Sequence, residues 1–319
     1  MDQRSEYLVE QLTPDFGFYL RAARRIAAVR SRYQRIEVFD TALFGRAMRI
    51  DGCFMTSERD EFFYHENMVH VPAVSHPGPR SALVVGGGDG GAVEELLKHA
   101  CMRRVVMAEL DPDVVSLARE HLGAIHNGAF DDPRLELVIG DGKAYVENCS
   151  ERFDQIVLDL TDPFGPARTL YTEAFYAACK RILNPGGFLS LHMQSPVTYP
   201  RAFNRIFRSV QAVFPIVRPM LVYVPLYGTW WALAAASESI DPLDLDETEV
   251  ERRIAGRGLA RLRYYNGAMH RAVMALPNFV SEILARPESP VSTDEPLDGV
   301  PDPASLPALV LHLAEGAKQ

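Results

Sequence analysis

The middle of the chain repeats short apolar runs that each end in glycine or acidic residues. Residues 82–85 are four consecutive apolar residues, which is typical of a strand buried on both faces of a parallel sheet. A glycine-rich stretch at residues 86–91 and a helical pattern over residues 93–99 follow, and they predict a strand, a tight loop and a helix. Further strands are predicted at residues 104–110, 135–139, 153–158 and 188–192.

Helical patterns separate these predicted strands or follow them. They cover residues 113–122, 170–183, 201–214, 247–256 and 270–285. Residues 222–225 and 230–234 are predicted to form a closing antiparallel pair. The alternation of strands and helices predicts an α/β fold with a Rossmann-like, doubly wound sheet.

A different pattern precedes this unit. Residues 1–11 are polar and predict no element, whereas short alternating segments up to residue 56 predict a small antiparallel β domain with a hairpin at Asp51-Gly52. A helix is predicted over residues 61–71 and is expected to stop at Pro72. We divide the chain into an N-terminal β-strand domain (1–56), a Rossmann-like domain (57–290) and a C-terminal tail (291–319), in which residues 306–314 have a helical pattern.

Composition excludes several classes of protein. The 319 residues are 47% hydrophobic, which indicates a soluble globular protein, and a net charge of −9 disfavours nucleic acid as the main partner. No apolar run reaches membrane-spanning length and the first residues lack a secretory apolar core, so we expect a cytoplasmic protein with no membrane partner. The four cysteines are widely spaced, which predicts reduced thiols, and we expect no metal.

Acidic residues follow the predicted strands. Asp89 lies in the glycine-rich loop, Glu109 ends the next strand, Asp141 follows the third, and Asp159 and Asp162 follow the fourth. The carboxyl ends of parallel strands line one crevice, which is where ligands bind in such sheets. The sequence therefore predicts one acidic site.

Part of this site suits a nucleoside. Glu109 stands where doubly wound folds place an acid against ribose hydroxyls, and Asp141-Gly142 could meet an adenine edge. S-adenosylmethionine would fit these features, but Asp89 would repel the carboxylate of that donor and favour a cation. The pattern thus favours decarboxylated S-adenosylmethionine, whose transferable group is aminopropyl rather than methyl.

Asp159 and Asp162 suit an amine acceptor. An amine is protonated near neutral pH, and its nitrogen attacks only after losing that proton. Asp159 could take the proton and Asp162 could orient a diamine, with Tyr64 and Tyr227 as candidate walls. Turn or helix capping is the structural alternative for the two acids. A methyltransferase and a non-catalytic polyamine or nucleoside sensor also stay open at this point.

A series of long motifs occurs in one order along residues 33–277. They are Tyr33-Gln34, residues 58–66, the loop of residues 86–91, Glu109-Leu110-Asp111, Asp141-Gly142, residues 159–166, residues 170–176, Tyr264-Tyr265-Asn266, His270 and residues 275–277. With these motifs, residues 33–277 resemble the spermidine synthase (polyamine aminopropyltransferase) family.

The resemblance implies a transferase fold of the class I S-adenosylmethionine-dependent type, a catalytic role for residues 57–290 and a homodimer or homotetramer. It implies decarboxylated S-adenosylmethionine as co-substrate, no permanently bound cofactor, and Asp159 as the proton acceptor. The residues implied for the polyamine are Tyr64, His65, Asp89, Asp162, Gln194 and Tyr227. Those implied for the nucleoside donor are Gln34, Gly86, Gly88, Asp89, Glu109, Asp141, Gly142 and Pro166.

Three departures from the family's pattern concern the acceptor. Leu160 stands where many bacterial members have a small polar residue, and Gly228 follows Tyr227 where many have proline. Both tryptophans lie at 230 and 231, so the tryptophan that many members carry near the N-terminus is absent. We expect putrescine as acceptor and spermidine and 5′-methylthioadenosine as products. Cadaverine, agmatine, or spermidine converted to spermine or thermospermine are the alternatives.

Overall fold

The N-terminal part of the chain forms an antiparallel sheet. The computed structural model describes residues 6–292 together with Leu297 and Val300. Five strands pair in chain order, namely β1 (Glu6–Thr13), β2 (Phe16–Arg30), β3 (Arg35–Thr41), β4 (Gly45–Ile50) and β5 (Cys53–Ser57). Asp51 and Gly52 join β4 to β5 with φ angles of 47° and 94°, as a tight hairpin requires. The expected antiparallel β region is confirmed.

Two features of this sheet differ from the sequence prediction. Strand β1 occupies residues that were expected to form no element, because the polar majority there hides Leu8 and Leu12, which alternate onto the buried face. Strand β2 is continuous where two short strands were expected. Irregularities in its pairing with β3 at Ala22–Arg24 and Arg25–Ala27 interrupt the alternation that would have revealed one long strand.

The second sheet is the expected doubly wound one. Its seven strands are β6 (Ser81–Gly86), β7 (Arg104–Glu109), β8 (Leu135–Ile139), β9 (Phe153–Asp159), β10 (Leu183–His192), β11 (Ile216–Val224) and β12 (Thr229–Ser237). They lie in the order β11-β12-β10-β9-β6-β7-β8; β6 to β10 are parallel, and β12 is antiparallel to both of its neighbours, β10 and β11. On β6, Ala82 and Val84 pack on one face of the sheet and Leu83 and Val85 on the other. Burial on both faces explains the unbroken apolar run.

Helices cover both faces of this sheet. They are α1 (Glu61–Ser75), α2 (Gly91–Leu97), α3 (Pro112–His121), α4 (Gly123–His126), α5 (Gly142–Asn148), α6 (Glu173–Arg181), α7 (Pro200–Val213), α8 (Glu247–Gly256), α9 (Gly267–Ala272) and α10 (Asn278–Ala285). Helices α1 to α3 pack on one face, and α5 to α7 on the other. The predicted fold class is confirmed.

The prediction that α1 stops at Pro72 is wrong. The helix continues to Ser75, although Pro72 has no N–H to donate within it. Helix α1 packs against α2 and against β10 to β12, and nearly all of its residues are buried. Tertiary packing therefore outweighs one missing hydrogen bond in the last turn.

Two other predicted helices have different bounds. Helix α6 begins only at Glu173, where the Thr172 hydroxyl accepts a hydrogen bond from the backbone N–H of Phe175, and the residues before it form a 3₁₀ helix, Gly165–Tyr171. The helix expected over residues 270–285 is two helices, α9 and α10. Pro277 stands at the N-terminus of α10, where its fixed φ starts a helix rather than continuing one.

Little of the C-terminal tail belongs to the described residues. Of residues 291–319, only 291, 292, 297 and 300 are described, and Val291 and Leu297 are buried. The predicted helix over residues 306–314 lies outside the described residues.

Helix α1 also anchors the segment between α8 and α9. The buried Glu66 carboxylate accepts backbone hydrogen bonds from Arg263 at 2.7 Å, Tyr264 at 2.8 Å and Tyr265 at 2.7 Å. Three N–H groups thus depend on one side chain, because buried donors need an acceptor.

We predict that Glu66→Ala destabilises the protein by about 3 kcal/mol or more, since three backbone donors lose their acceptor. Glu66→Gln keeps one carbonyl acceptor and should lose less. Urea unfolding of both variants measures the difference, with the exposed Glu282→Ala on α10 as control. A Glu66→Ala protein as stable as the control would contradict this role.

Candidate active site

A cavity of about 460 Å³ lies at the carboxyl ends of β6, β7 and β9. The N-terminal sheet contributes Met48, Ile50 and Met55 to its wall, and Tyr64 and His65 of α1 complete it. We call this the main cavity. It is the crevice in which the sequence placed a nucleoside.

The glycine-rich loop brings β6, β9 and α1 together. Gly86 has a φ of +81°, and a Cβ there would lie 2.2 Å from the carbonyl oxygen of Asp159. A Cβ at Gly91 would lie 2.3 Å from the ring of His65. Only glycine permits these approaches, and the Gly87 N–H then donates to the Asp159 carbonyl at 2.9 Å.

His65 lies between two carboxylates in the main cavity. Its Nε2 is 3.8 Å from Asp89 and 3.7 Å from Asp159, and its Nδ1 is 2.9 Å from Glu61. Burial alone would lower the pKa of His65, but Asp89, Asp159 and Glu61 raise that pKa well above 6.5. His65 is therefore an imidazolium that offsets part of the local negative charge.

Asp89 and Tyr64 flank the same region. The Asp89 carboxylate also accepts the Gly91 N–H at 3.0 Å, which fixes its direction. Tyr64 is buried, and burial together with the Asp159 carboxylate raises the pKa of its hydroxyl well above 10. Tyr64 is thus a neutral group beside the acids.

His65, Asp89 and Asp159 are also the residues with metal-ligand geometry. Their ligand atoms lie within 4.8 Å of one another, and no second such group occurs among residues 6–292. The protonated His65 disfavours an ion here, since an imidazolium has no free lone pair for a metal. The expectation that the protein needs no metal stays a prediction.

The nucleoside side of the cavity is built around the end of β7. One oxygen of Glu109 accepts the Asp111 N–H at 2.9 Å, and burial, with the nearby Asp111 and Asp159 charges, raises the pKa of Glu109 to about 7. Asp111 accepts hydrogen bonds from Gln34 at 3.0 Å and from Ser31 at 2.6 Å. Gln34 therefore joins the N-terminal sheet to the end of β7.

Asp141 has the structural role that strand-end acids often have. Its carboxylate accepts the N–H groups of Lys143 at 2.8 Å and Ala144 at 3.3 Å, so it caps α5. Asp141 and Gly142 nevertheless line the main cavity. The capping fixes the side chain at the cavity edge.

A smaller cavity of about 30 Å³ adjoins the main one. The two share wall residues, among them Tyr64, Leu160 and Tyr227. We call it the side cavity. Asp162 and Glu10 line it, and burial raises the pKa of Asp162 to about 6 and that of Glu10 to about 8.

The two cavities hold more negative than positive charge. Among the described residues, no lysine or arginine lines either of them, and His65 is the only cation. Carboxylates without a partner are unfavourable in a buried site. The arrangement can therefore bind a cation and accept a proton from it.

The structure brings most of the predicted site residues together. Those lining the main cavity are Gln34, Tyr64, His65, Gly86, Gly88, Asp89, Glu109, Asp141, Gly142, Asp159 and Tyr227. Asp162 lines the side cavity instead. Pro166 lies in the 3₁₀ helix Gly165–Tyr171. Gln194 lines neither cavity; it is buried behind Asp162 and donates to its carboxylate at 2.8 Å.

Sequence reasoning did not assign Glu10, His192 or Trp231 to the site, although all three line the side cavity. Glu10 alternates with Leu8 and Leu12 on the buried face of β1, so an acid at an apolar position of the alternation was the available signal. His192 and Trp231 lie within apolar strands and gave no such signal.

The chain is similar to known proteins over most of its length. The family model of the spermine/spermidine synthase domain matches residues 61–246, and that of the spermidine synthase tetramerisation domain matches residues 8–58. The chain is 57% identical to a polyamine aminopropyltransferase of Nitrosomonas europaea over 92% of this chain and 91% of that protein. It is 41% identical to polyamine aminopropyltransferase 2 of Hyperthermus butylicus over 91% of this chain and 96% of that one.

Solved structures give the same result. A spermidine synthase in complex with the transition state analogue AdoDATO has a TM-score of 0.83 and 36% identity, and covers 89% of this chain and 97% of that one. Spermidine synthase from Thermotoga maritima has a TM-score of 0.80 and 35% identity, with 89% and 96% covered.

Fold and site together define a Rossmann-like transferase with an acidic cavity for a cationic ligand. The chain belongs to the spermine/spermidine synthase family. The family and the enzyme class expected from the sequence, a polyamine aminopropyltransferase, are thereby confirmed. No helix within the described part of the chain is both long and apolar enough to cross a membrane.

We predict that Asp89→Asn lowers the pKa of His65 by about one unit or more, because the charge of Asp89 is the largest of the influences that raise this pKa. NMR titration of labelled histidine rings measures this pKa directly in the ligand-free protein. Asp162→Asn is the matched control, since Asp162 lies in the side cavity. A wild-type His65 that titrates near 6.5 would contradict the assignment.

Proposed function

We propose that the protein transfers the aminopropyl group of decarboxylated S-adenosylmethionine to putrescine, giving spermidine and 5′-methylthioadenosine. One observation carries the proposal: the carboxylates of the two cavities face no lysine or arginine among the described residues. Both substrates are cations, and both would supply the missing positive charge.

The main cavity would hold the donor. Glu109 would accept the ribose hydroxyls with the oxygen that the Asp111 N–H leaves free. Asp89 would pair with the ammonium of the aminopropyl group. The adenine-side residues would be Gln34, Asp141, Gly142 and Pro166, with Gly86 and Gly88 against the ribose. A donor that kept its carboxylate would bring a second negative charge beside Asp89, and this repulsion disfavours a methyltransferase.

The acceptor would lie across both cavities. Its reacting nitrogen would stand beside Asp159, Tyr64 and Tyr227, and its remote ammonium would reach Asp162, which Gln194 holds in place. The nitrogen forms a bond to the donor's methylene carbon while the carbon–sulfur bond breaks. The bonding electrons go to the sulfonium sulfur, which becomes a neutral thioether, and the nitrogen's proton goes to Asp159.

The proposal also includes the assembly of the protein, the roles of its domains and its location. The N-terminal sheet, matched by the tetramerisation-domain model, would join copies of the chain into a homodimer or homotetramer. Residues 1–56, 57–290 and 291–319 would act as assembly domain, catalytic domain and tail. We expect a cytoplasmic enzyme that uses the donor as co-substrate, keeps no permanent cofactor and binds no nucleic acid. Product analysis with both donors and a panel of di- and triamines tests the proposal.

We predict that Asp159→Asn lowers turnover by about 10²-fold or more, because the reacting amine loses its proton acceptor. Binding of 5′-methylthioadenosine should stay near the wild-type value. Steady-state kinetics and calorimetry measure the two effects. Lost nucleoside binding with unchanged turnover would reverse the assignment.

We predict that 5′-methylthioadenosine binds more tightly at pH 8 than at pH 6. The pKa of Glu109 is about 7 without ligand, so the carboxylate that accepts ribose hydroxyls is present above pH 7 and lost below it. Affinity should fall by up to about tenfold for each pH unit below 7. Glu109→Gln, measured by calorimetry, should bind weakly at both pH values; an unchanged pH dependence in this variant would contradict the prediction.

A further inference from the structure

The short segment that follows Asp159 and ends at Asp162 is held by three side chains. We call residues 160–162 the acid linker. His192 Nε2 lies 3.0 Å from the carbonyl oxygen of Leu160, and the Tyr171 hydroxyl donates to the carbonyl oxygen of Thr161 at 2.6 Å. Gln194 donates to the carboxylate of Asp162. Each residue of the acid linker therefore has a hydrogen-bond partner outside the linker, either in the 3₁₀ helix or near the end of β10.

His192 and Tyr171 form one unit. The Tyr171 hydroxyl oxygen is 2.5 Å from His192 Nε2. Because the Leu160 carbonyl can only accept, His192 Nε2 carries a proton and donates it. Burial lowers the pKa of His192 to about 4, so the ring is neutral near pH 7 and its Nδ1 is unprotonated. Nδ1 has no hydrogen-bond partner among the described residues.

The His192 ring is also a fixed part of the side-cavity wall. It stacks on Trp231 with centroids 5.7 Å apart and planes at 29°. Trp231 in turn meets Tyr227 at 5.0 Å, and Tyr64 lies 6.5 Å from His192. The ring is fully enclosed by strand β10 and these aromatic neighbours, so it has little freedom to move.

We propose that His192 and Tyr171 are positioning residues that set the place of Asp162 relative to Asp159 and thereby select the amine acceptor. The inference rests on the proposed function. Asp159 would act on the reacting nitrogen and Asp162 on the remote ammonium, so the distance between them limits which amine fits. Two carbonyls of the acid linker are held from β10 and from the end of the 3₁₀ helix.

We expect the loss of the hydrogen bonds from His192 or Tyr171 to have a large effect on the reaction rate. Without a donor on its carbonyl oxygens, the acid linker can shift, and a misplacement of about 1 Å in a site can change rates by about 10²-fold. Leu160 and Thr161 also line the main cavity, but the donor-side acids Glu109 and Asp141 lie at the ends of β7 and β8, which do not pair with β9, so we expect the shift to fall mainly on the acceptor.

His192→Leu and His192→Gln form a matched pair of variants. Leucine removes the donor but fills similar space, whereas the glutamine amide can still donate to the Leu160 carbonyl. We expect His192→Leu to raise the KM for putrescine about tenfold or more and to change its ranking against cadaverine. His192→Gln should stay close to wild type. Tyr171→Phe should act like His192→Leu, and the double variant should lose less than the sum.

Affinity for 5′-methylthioadenosine should be unchanged in all of these variants. Trp230→Phe, on the half-exposed side of β12, controls for general effects on the strand. A His192→Leu enzyme with the wild-type acceptor ranking and KM would overturn the proposal. So would a His192→Gln enzyme as impaired as His192→Leu, since ring shape rather than the hydrogen bond would then matter.

The same variants separate this inference from the proposed function. Calorimetry of putrescine, cadaverine and spermidine binding gives a readout that does not depend on turnover. If the wild type formed no product with any amine, the proposed function would fail. A weakened and reordered amine affinity in His192→Leu would still support the positioning role, and an unchanged one would refute it.

Discussion

The site depends on buried carboxyl groups whose negative charge is unfavourable until a proton or a cationic ligand offsets it. Parallel strands bring Asp89, Glu109 and Asp159 to one edge of the sheet, and β1 adds Glu10 to the adjoining cavity. Burial, above all, raises the pKa of Glu10 to about 8 and that of Glu109 to about 7. The empty site is thus electrostatically unfavourable, and a cation that binds it also stabilises the folded state. The same buried charges therefore contribute both to binding of a cation and to the stability of the folded protein once the cation is bound.

Helix α1 connects this charge to the rest of the fold. Its first turns place Tyr64 and the protonated His65 in the cavity, and the next residue, Glu66, holds the segment before α9. One turn further, His70 is 2.8 Å from Glu95 of α2. Since α2 begins directly after the glycine-rich loop, the position of Asp89 and that of His65 are fixed by one helix pair. The packing that keeps α1 helical through Pro72 is the same packing that aligns the site.

Local signals predicted the parts of the site that one stretch of chain determines. The apolar run of β6, its glycine-rich loop and the acids at strand ends follow from short-range geometry, so Asp89, Glu109 and Asp159 could be assigned from sequence. Gln194 was named only through the family resemblance and His192 was not named at all, because their contacts come from pairing between β10, β12 and the acid linker. Such contacts join residues far apart in sequence and have no local pattern.

The two cavities differ in how far they can be predicted from local sequence. The main cavity is formed mainly by consecutive strand ends, whereas the side cavity combines β1, the acid linker, β10 and β12. A volume of about 30 Å³ leaves room for little beyond an ammonium group and its nearest carbons. Burial raises the pKa of Glu10 to about 8 and lowers that of His192 to about 4, so both are neutral near pH 7, and Asp162, with a pKa of about 6, is the charged group that an ammonium would meet there. In the proposed binding mode, the spacing of the two nitrogens of the amine would have to match the distance between Asp159 and Asp162, which hydrogen bonds to the acid linker hold.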